Sequence, residues 1–90
     1  MKIEFDPNKN ALNKKKHGLS LAEGRELFDD LNHLILPSNR PMDGEERFKI
    51  IGIKDGRFCT AVYTERGAAI RFISVRRGNS GEQRLYRAAS

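Results

Sequence analysis

The 90 residues contain no tryptophan, one cysteine and only three prolines. A single cysteine cannot close an internal disulfide, which excludes the stapled architecture of small secreted domains and points to a reducing compartment. Cys59 sits in an apolar strand pattern with no motif around it, so it reads as a small buried hydrophobe rather than a reactive thiol. No apolar run approaches the ~20 residues of a membrane-spanning helix. The start MKIEFDPNK lacks the apolar stretch of a secretory signal. A cytoplasmic protein without membrane association is therefore expected. Aromatic residues make up 8% of the chain, which leaves little for reading bases by stacking and shifts any nucleic-acid recognition toward phosphate.

What is present is charge, unevenly spread over a chain that has room for one domain, residues 1–90. Residues 1–20 carry five lysines against two acids, residues 21–46 two arginines against seven acids, and residues 47–90 ten basic residues against three acids. The ends are basic, the middle is acidic, and the net charge is +5 with a pI near 9.7. A polyanionic partner fits this balance, while the acidic stretch around Glu23, Glu26, Asp29 and Asp30 is either a protein-binding surface or a solvated helix side.

Local signals divide the chain into helices and then strands. Lys2–Phe5 alternates like a short strand. Asp6-Pro7 reads as an N-cap followed by the first helical position, and the helix runs to His17 with Gly18 as its left-handed stop. Ser20 to Glu23 forms a capping box for a second helix through Phe28. Leu31–Leu36 is a strand closed by Pro37, and the loop Pro37–Asp43 is read as mobile and variable. From Glu46 the pattern is strand, turn, strand, turn, strand, with turns at Asp55-Gly56 and Arg66-Gly67. Ser80 to Gln83 reads as a further capping box that opens a short C-terminal helix with Leu85 and Tyr86. This order predicts an α+β domain in which two N-terminal helices pack on one face of an antiparallel sheet meander.

Alternation then sorts the strand residues. A two-residue turn at Asp55-Gly56 pairs Lys54 with Arg57 and Ile50 with Ala61, and an even turn at Arg66-Gly67 pairs Thr64 with Ala69. One face collects Phe48, Ile50, Cys59, Ala61, Tyr63, Ile70 and Phe72 as the core. The other is apolar at one end, with Ile51, Ile53, Phe58, Ile73 and Val75, and basic at the other, with Arg47, Lys49 and Arg71 beneath Arg66. Like charges gathered this way repel. They are either a rim neutralised by Glu45, Glu46 and Glu65 or a clamp for an oxyanion. Of Arg76 and Arg77, adjacent on a strand, at most one faces a given site.

FDPNKNALNKKKHGLSLAEGRELF, GEERFKIIG and YTERGAAIRFISVRR, followed by a C-terminal Glu and Tyr, resemble the BrnT family over nearly the whole chain. Phe5 stands where that family commonly has Trp. The resemblance implies a RelE-like fold and a ribonuclease toxin that slows translation. It also implies a partner antitoxin of the BrnA type, with operator DNA touched only through that antitoxin. No cofactor or metal is expected, because the acids lie mainly ahead of the basic sheet rather than converging on it. A metal-free route needs a base, an acid and positive charge on the transition-state oxygens. Arg66, with Arg71, Arg76 or Arg77, is the candidate source of charge, and Arg47, Lys49, Arg71 and Lys16 are candidates for the RNA backbone. His17 and Glu46 are candidate bases, since histidine ordinarily titrates nearest neutrality, and Tyr86 is a candidate acid. The alternative is a non-catalytic module of the same fold that binds nucleic acid or antitoxin.

Overall fold

Asp6 and Pro7 start the first helix in the expected way. The Asp6 carboxylate accepts from the Asn8 amide at 2.8 Å, Pro7 takes a position where no donor is needed, and Gly18 closes the helix at φ 73°. Helix α1 spans Pro7–His17. The structure, a computed structural model, describes residues 1–40, 42 and 44–90. Within the loop expected to be mobile, Pro41 and Asp43 lie outside the described residues.

The second helix is present over Leu21–Asp29, but as a 3-10 rather than an α-helix. Its buried residues are Leu21, Gly24 and Leu27. A spacing of three suits a helix with three residues per turn, where side chains stack in line. Gly24 lets that ridge approach the sheet, since a Cβ there would stand 2.6 Å from the Phe72 ring. The Glu23 carboxylate accepts from the Ser20 amide, as the capping box predicts.

Five strands follow the order β1-β5-β4-β3-β2, with β1 at Lys2–Glu4, β2 at Leu34–Pro37, β3 at Phe48–Lys54, β4 at Arg57–Arg66 and β5 at Ala69–Arg77. The expected antiparallel meander holds for β2 to β5. It is corrected at the edge, where β1 pairs parallel to β5. No turn signal links two strands from opposite ends of the chain, so this pairing left no local mark. Strand β2 starts three residues late because a turn intervenes, in which Asp30 accepts from the Asn32 amide and the His33 amide bonds the Asp30 carbonyl.

The first hairpin has the expected register, with Asp55 (φ 53°) and Gly56 (φ 76°) both in the left-handed region of a tight turn. The second differs. Its turn residues are Gly67 and Ala68, so Arg66 pairs with Ala69 and Thr64 with Arg71 rather than with Ala69. A bulge follows in which Tyr63 faces Phe72 while Val62 faces Ser74, which leaves Ile73 as the extra residue. The bulge rotates the rest of β5. Val75, expected on the far face, is fully buried in the core beside Ala61, and Arg76 takes the far face opposite Thr60.

The core packs Leu19, Leu21 and Leu27 against Ile50, Cys59, Ala61, Tyr63, Phe72 and Val75. Helix α2, Ser80–Ala89, does not join α1 and the 3-10 helix; its Glu82 and Tyr86 reach Thr60 and Phe58 on the other face. Its cap is Asn79 paired with Glu82, one residue ahead of the Ser80 to Gln83 box read from the sequence. Asn13 is the only buried residue of α1, and it covers the edge of β5 that β1 leaves bare. Its amide accepts from the Val75 N–H at 3.2 Å and donates to the Val75 carbonyl at 2.8 Å and the Leu19 carbonyl at 2.7 Å, as a neighbouring strand would.

Candidate nucleic-acid interface

The far face of the sheet is divided in two by α2. Under the helix, Glu82 is 3% exposed and gathers donors from three strands. Arg76 holds it through two bonds of 2.8 and 2.9 Å, Thr60 Oγ1 donates at 2.9 Å, Lys49 Nζ at 3.3 Å, and the Asn79 amide at 3.0 Å. Burial pushes this carboxyl up, but the bonds from Arg76, Asn79 and Thr60 outweigh it and hold the pKa at about 2. Arg76 is raised in turn, chiefly by its bonds to Glu82. Tyr86 donates to Asp30 at 2.8 Å and packs edge-on to Phe58; burial and Asp30 together push its hydroxyl up. Of the sequence candidates, Arg76 and Lys49 are thus engaged with Glu82, and Tyr86 with Asp30 and Phe58.

Beyond α2, the same face carries Arg71, Arg66 and Arg47. Arg71 stands opposite Thr64 on β4 and beside Glu4 on β1, and among the described residues its side chain makes no ion pair or hydrogen bond. Arg66 ends β4, is half-exposed and lies 4.0 Å from Glu45, which also approaches Arg47 at 3.7 Å. Glu46 is exposed; its carbonyl, rather than its carboxylate, is engaged, by Thr64 Oγ1 at 2.8 Å. Arg77 lies apart from all of these, 3.4 Å from Cys59 Sγ. Arg66 and Arg76 cannot meet on one phosphate. They stand against β4 positions 66 and 60, which are about 20 Å apart at ~3.4 Å per residue.

The open half continues round the sheet edge. A hollow of about 310 Å³ is lined by Ser38, Arg40, Arg47, Val62, Ile73 and Ser74. A second, of about 220 Å³, is lined by Lys9, Leu12, Lys16 and His17 of α1 with the same Ile73 and Ser74. The bulge residues are the shared wall. Lys16 and His17 were legible as candidates in the sequence; Lys9 and Arg40 were not. Lys9 and Lys16 are seven residues apart, the spacing that returns to the same side of a helix, so their common face was available as a signal. Arg40 sits in a loop with no pattern to mark it.

The acidic middle gathers elsewhere. Glu26, Asp29, Asp30 and Asp55 surround a hollow of about 480 Å³ with Lys54 and Tyr86. Lys54 bonds Asp55 at 2.8 Å and pairs with Glu23 at 3.2 Å and Glu26 at 3.7 Å, and these carboxylates raise its pKa despite burial. Among the described residues no three His, Cys, Asp or Glu side chains are grouped to hold a metal ion, and no helix is long and apolar enough to cross a membrane.

The molecule is a small α+β domain whose sheet carries Arg47 and Arg71 on the half of its far face that α2 does not reach. The chain belongs to the BrnT family, ribonuclease toxins of type II toxin–antitoxin systems, whose family model matches residues 5–82. None of the curated proteins matches it. As a type II toxin it has an antitoxin as its partner. The match ends at Glu82, the residue on which α2 is anchored.

Proposed function

We propose that this chain is an endoribonuclease that inhibits translation by cutting RNA without a metal, on the open basic end of a RelE-like fold, and that a BrnA-type antitoxin silences it in the cytoplasm. The observation that carries the reading is the Arg71 guanidinium, which has no partner among the described residues and stands on the half of the sheet that α2 does not cover. In this route the ribose 2′-oxygen attacks the adjacent phosphorus as a base removes its proton. The bond from phosphorus to the 5′-oxygen breaks, the leaving oxygen takes up a proton, and a cyclic phosphate and a free 5′-hydroxyl result. Arg71, Arg66 and Arg47 supply positive charge to the non-bridging oxygens. His17, in the adjoining hollow, is the base of first choice, and Glu46 near Arg66 is the second. Arg76, Lys49 and Tyr86 serve by holding α2 clear of the open half, and Arg77 closes the end of β5 over Cys59.

The test is cleavage of a labelled single-stranded RNA in EDTA by the wild type and by Arg71→Ala, Arg66→Ala and His17→Ala, each checked for folding by circular dichroism. Loss of a good oxyanion donor lowers the rate by about 10²–10³, and that loss in a folded Arg71→Ala protein is the expected result. Wild-type RNA binding with no cleavage, free or on translating ribosomes, would instead identify a binding module of the same fold.

A further inference from the structure

Helix α1 is poorly explained by packing. A surface helix ordinarily buries an apolar stripe; this one buries only Asn13, and its single large apolar side chain, Leu12, is 66% exposed. The segment Pro7–His17 contains no acid and four lysines, and among the described residues none of those lysines makes an ion pair. Repulsion between like charges at neighbouring helical positions opposes the helix. What holds it in place is polar: Asn13 on the β5 edge, and the Asn10 side chain accepting from the Leu21 amide at 2.7 Å.

The residues around Asn13 are not a random solvated side. Lys9 lies four residues before Asn13 and Lys16 three after it, both on its side of the helix, and the exposed Leu12 lines the same hollow between them. These line the smaller hollow, and the wall they share with the Arg40 and Arg47 hollow is the bulge, Ile73-Ser74. The two hollows lie on different surfaces that meet at the sheet edge. A stiff duplex does not follow such a corner, whereas an unpaired strand turns it freely and can present phosphates to the lysines and a base to Leu12.

We propose that α1 is a substrate-binding element: a single RNA strand runs from the open sheet face across the bulge into the α1 hollow, with Lys9 and Lys16 each contacting a phosphate. Asn13 is the positioning residue that sets this helix on the edge. The inference rests on the reading of the chain as a protein that acts on RNA, and it concerns where the strand lies rather than how it is cut.

The experiment measures binding of a labelled 2′-O-methyl oligouridine, which cannot be cleaved, over a series of salt concentrations. Each phosphate contact to a single strand contributes a slope of about 0.7 in log K against log salt. Lys9→Gln/Lys16→Gln is therefore expected to flatten the slope by about 1.4, while Lys14→Gln/Lys15→Gln, with the same charge change on the same helix but outside the hollow, leaves it as in the wild type. An unchanged slope in the first pair, or an equal change in both pairs, overturns the proposal even if the wild type still cuts unmodified RNA. Conversely, a selective change in a protein that cuts no RNA upholds the strand path and removes the ribonuclease reading instead.

Discussion

Replacing Glu82 by glutamine keeps the size of the side chain and removes the negative charge that Arg76 and Lys49 share. Arg76, Lys49 and Thr60 would then converge on a neutral amide, half of which is itself a donor. The difference between the ordinary carboxyl pKa of 4.5 and about 2 in the fold corresponds to ~3 kcal/mol of stabilisation by the charged form. The side chains of Arg76 and Lys49 are 33% and 25% exposed, and the water they retain reduces the loss to about 2–3 kcal/mol. That is a large share of the roughly 5–13 kcal/mol expected for a domain of this length.

The sign in pH follows from the lowered pKa. The contribution of Glu82 is complete above the unfolded value of 4.5 and disappears as the pH falls toward about 2. Glu23 and Asp30 are also held low, so the acid limb of the wild type alone does not isolate Glu82. The difference between wild type and Glu82→Gln does. Urea unfolding followed by far-ultraviolet circular dichroism should show a gap of about 2–3 kcal/mol at neutral pH that closes on acidification. A variant within about 0.5 kcal/mol of wild type at neutral pH, or a gap that persists at the acid end, would refute the account of how α2 is anchored.

Two further changes test the other supports. Asn13→Ala strips the Val75 N–H and carbonyl of their partner at the β5 edge and should cost about 2–3 kcal/mol, read as a lower urea midpoint with unchanged slope. Gly24→Ala drives a methyl to 2.6 and 2.8 Å from Phe72 ring carbons, an overpacking expected to cost about 1–3 kcal/mol. Adding Phe72→Leu should return part of that loss, and strict additivity of the two changes would count against the contact.

Much of this molecule is local chemistry and was therefore legible in order along the chain. Asp6-Pro7 and Gly18 bounded α1, Asp55-Gly56 set the first hairpin, and period-two alternation named Phe48, Ile50, Cys59, Ala61, Tyr63 and Phe72 as core before any fold was known. The close approach of Gly24 to Phe72 was not legible, because it joins residues far apart in sequence. The same applies to the candidate site. Arginines could be counted, but a single bulged residue, Ile73, decided that Val75 turns inward and Arg76 turns outward to Glu82.

The sequence by itself determined the charge, the elements and the family pattern, since each depends on residue identity and short spacing. Only the tertiary structure decided which cations share a surface. Register, bulges and the docking of α2 are set by contacts across strands, and a slip of one residue exchanges the two faces. That is why Arg76 and Lys49 lie beneath a helix while Arg71 lies beyond it. It is also why α1, held to an edge by one asparagine, brings Lys9 and Lys16 alongside the bulge.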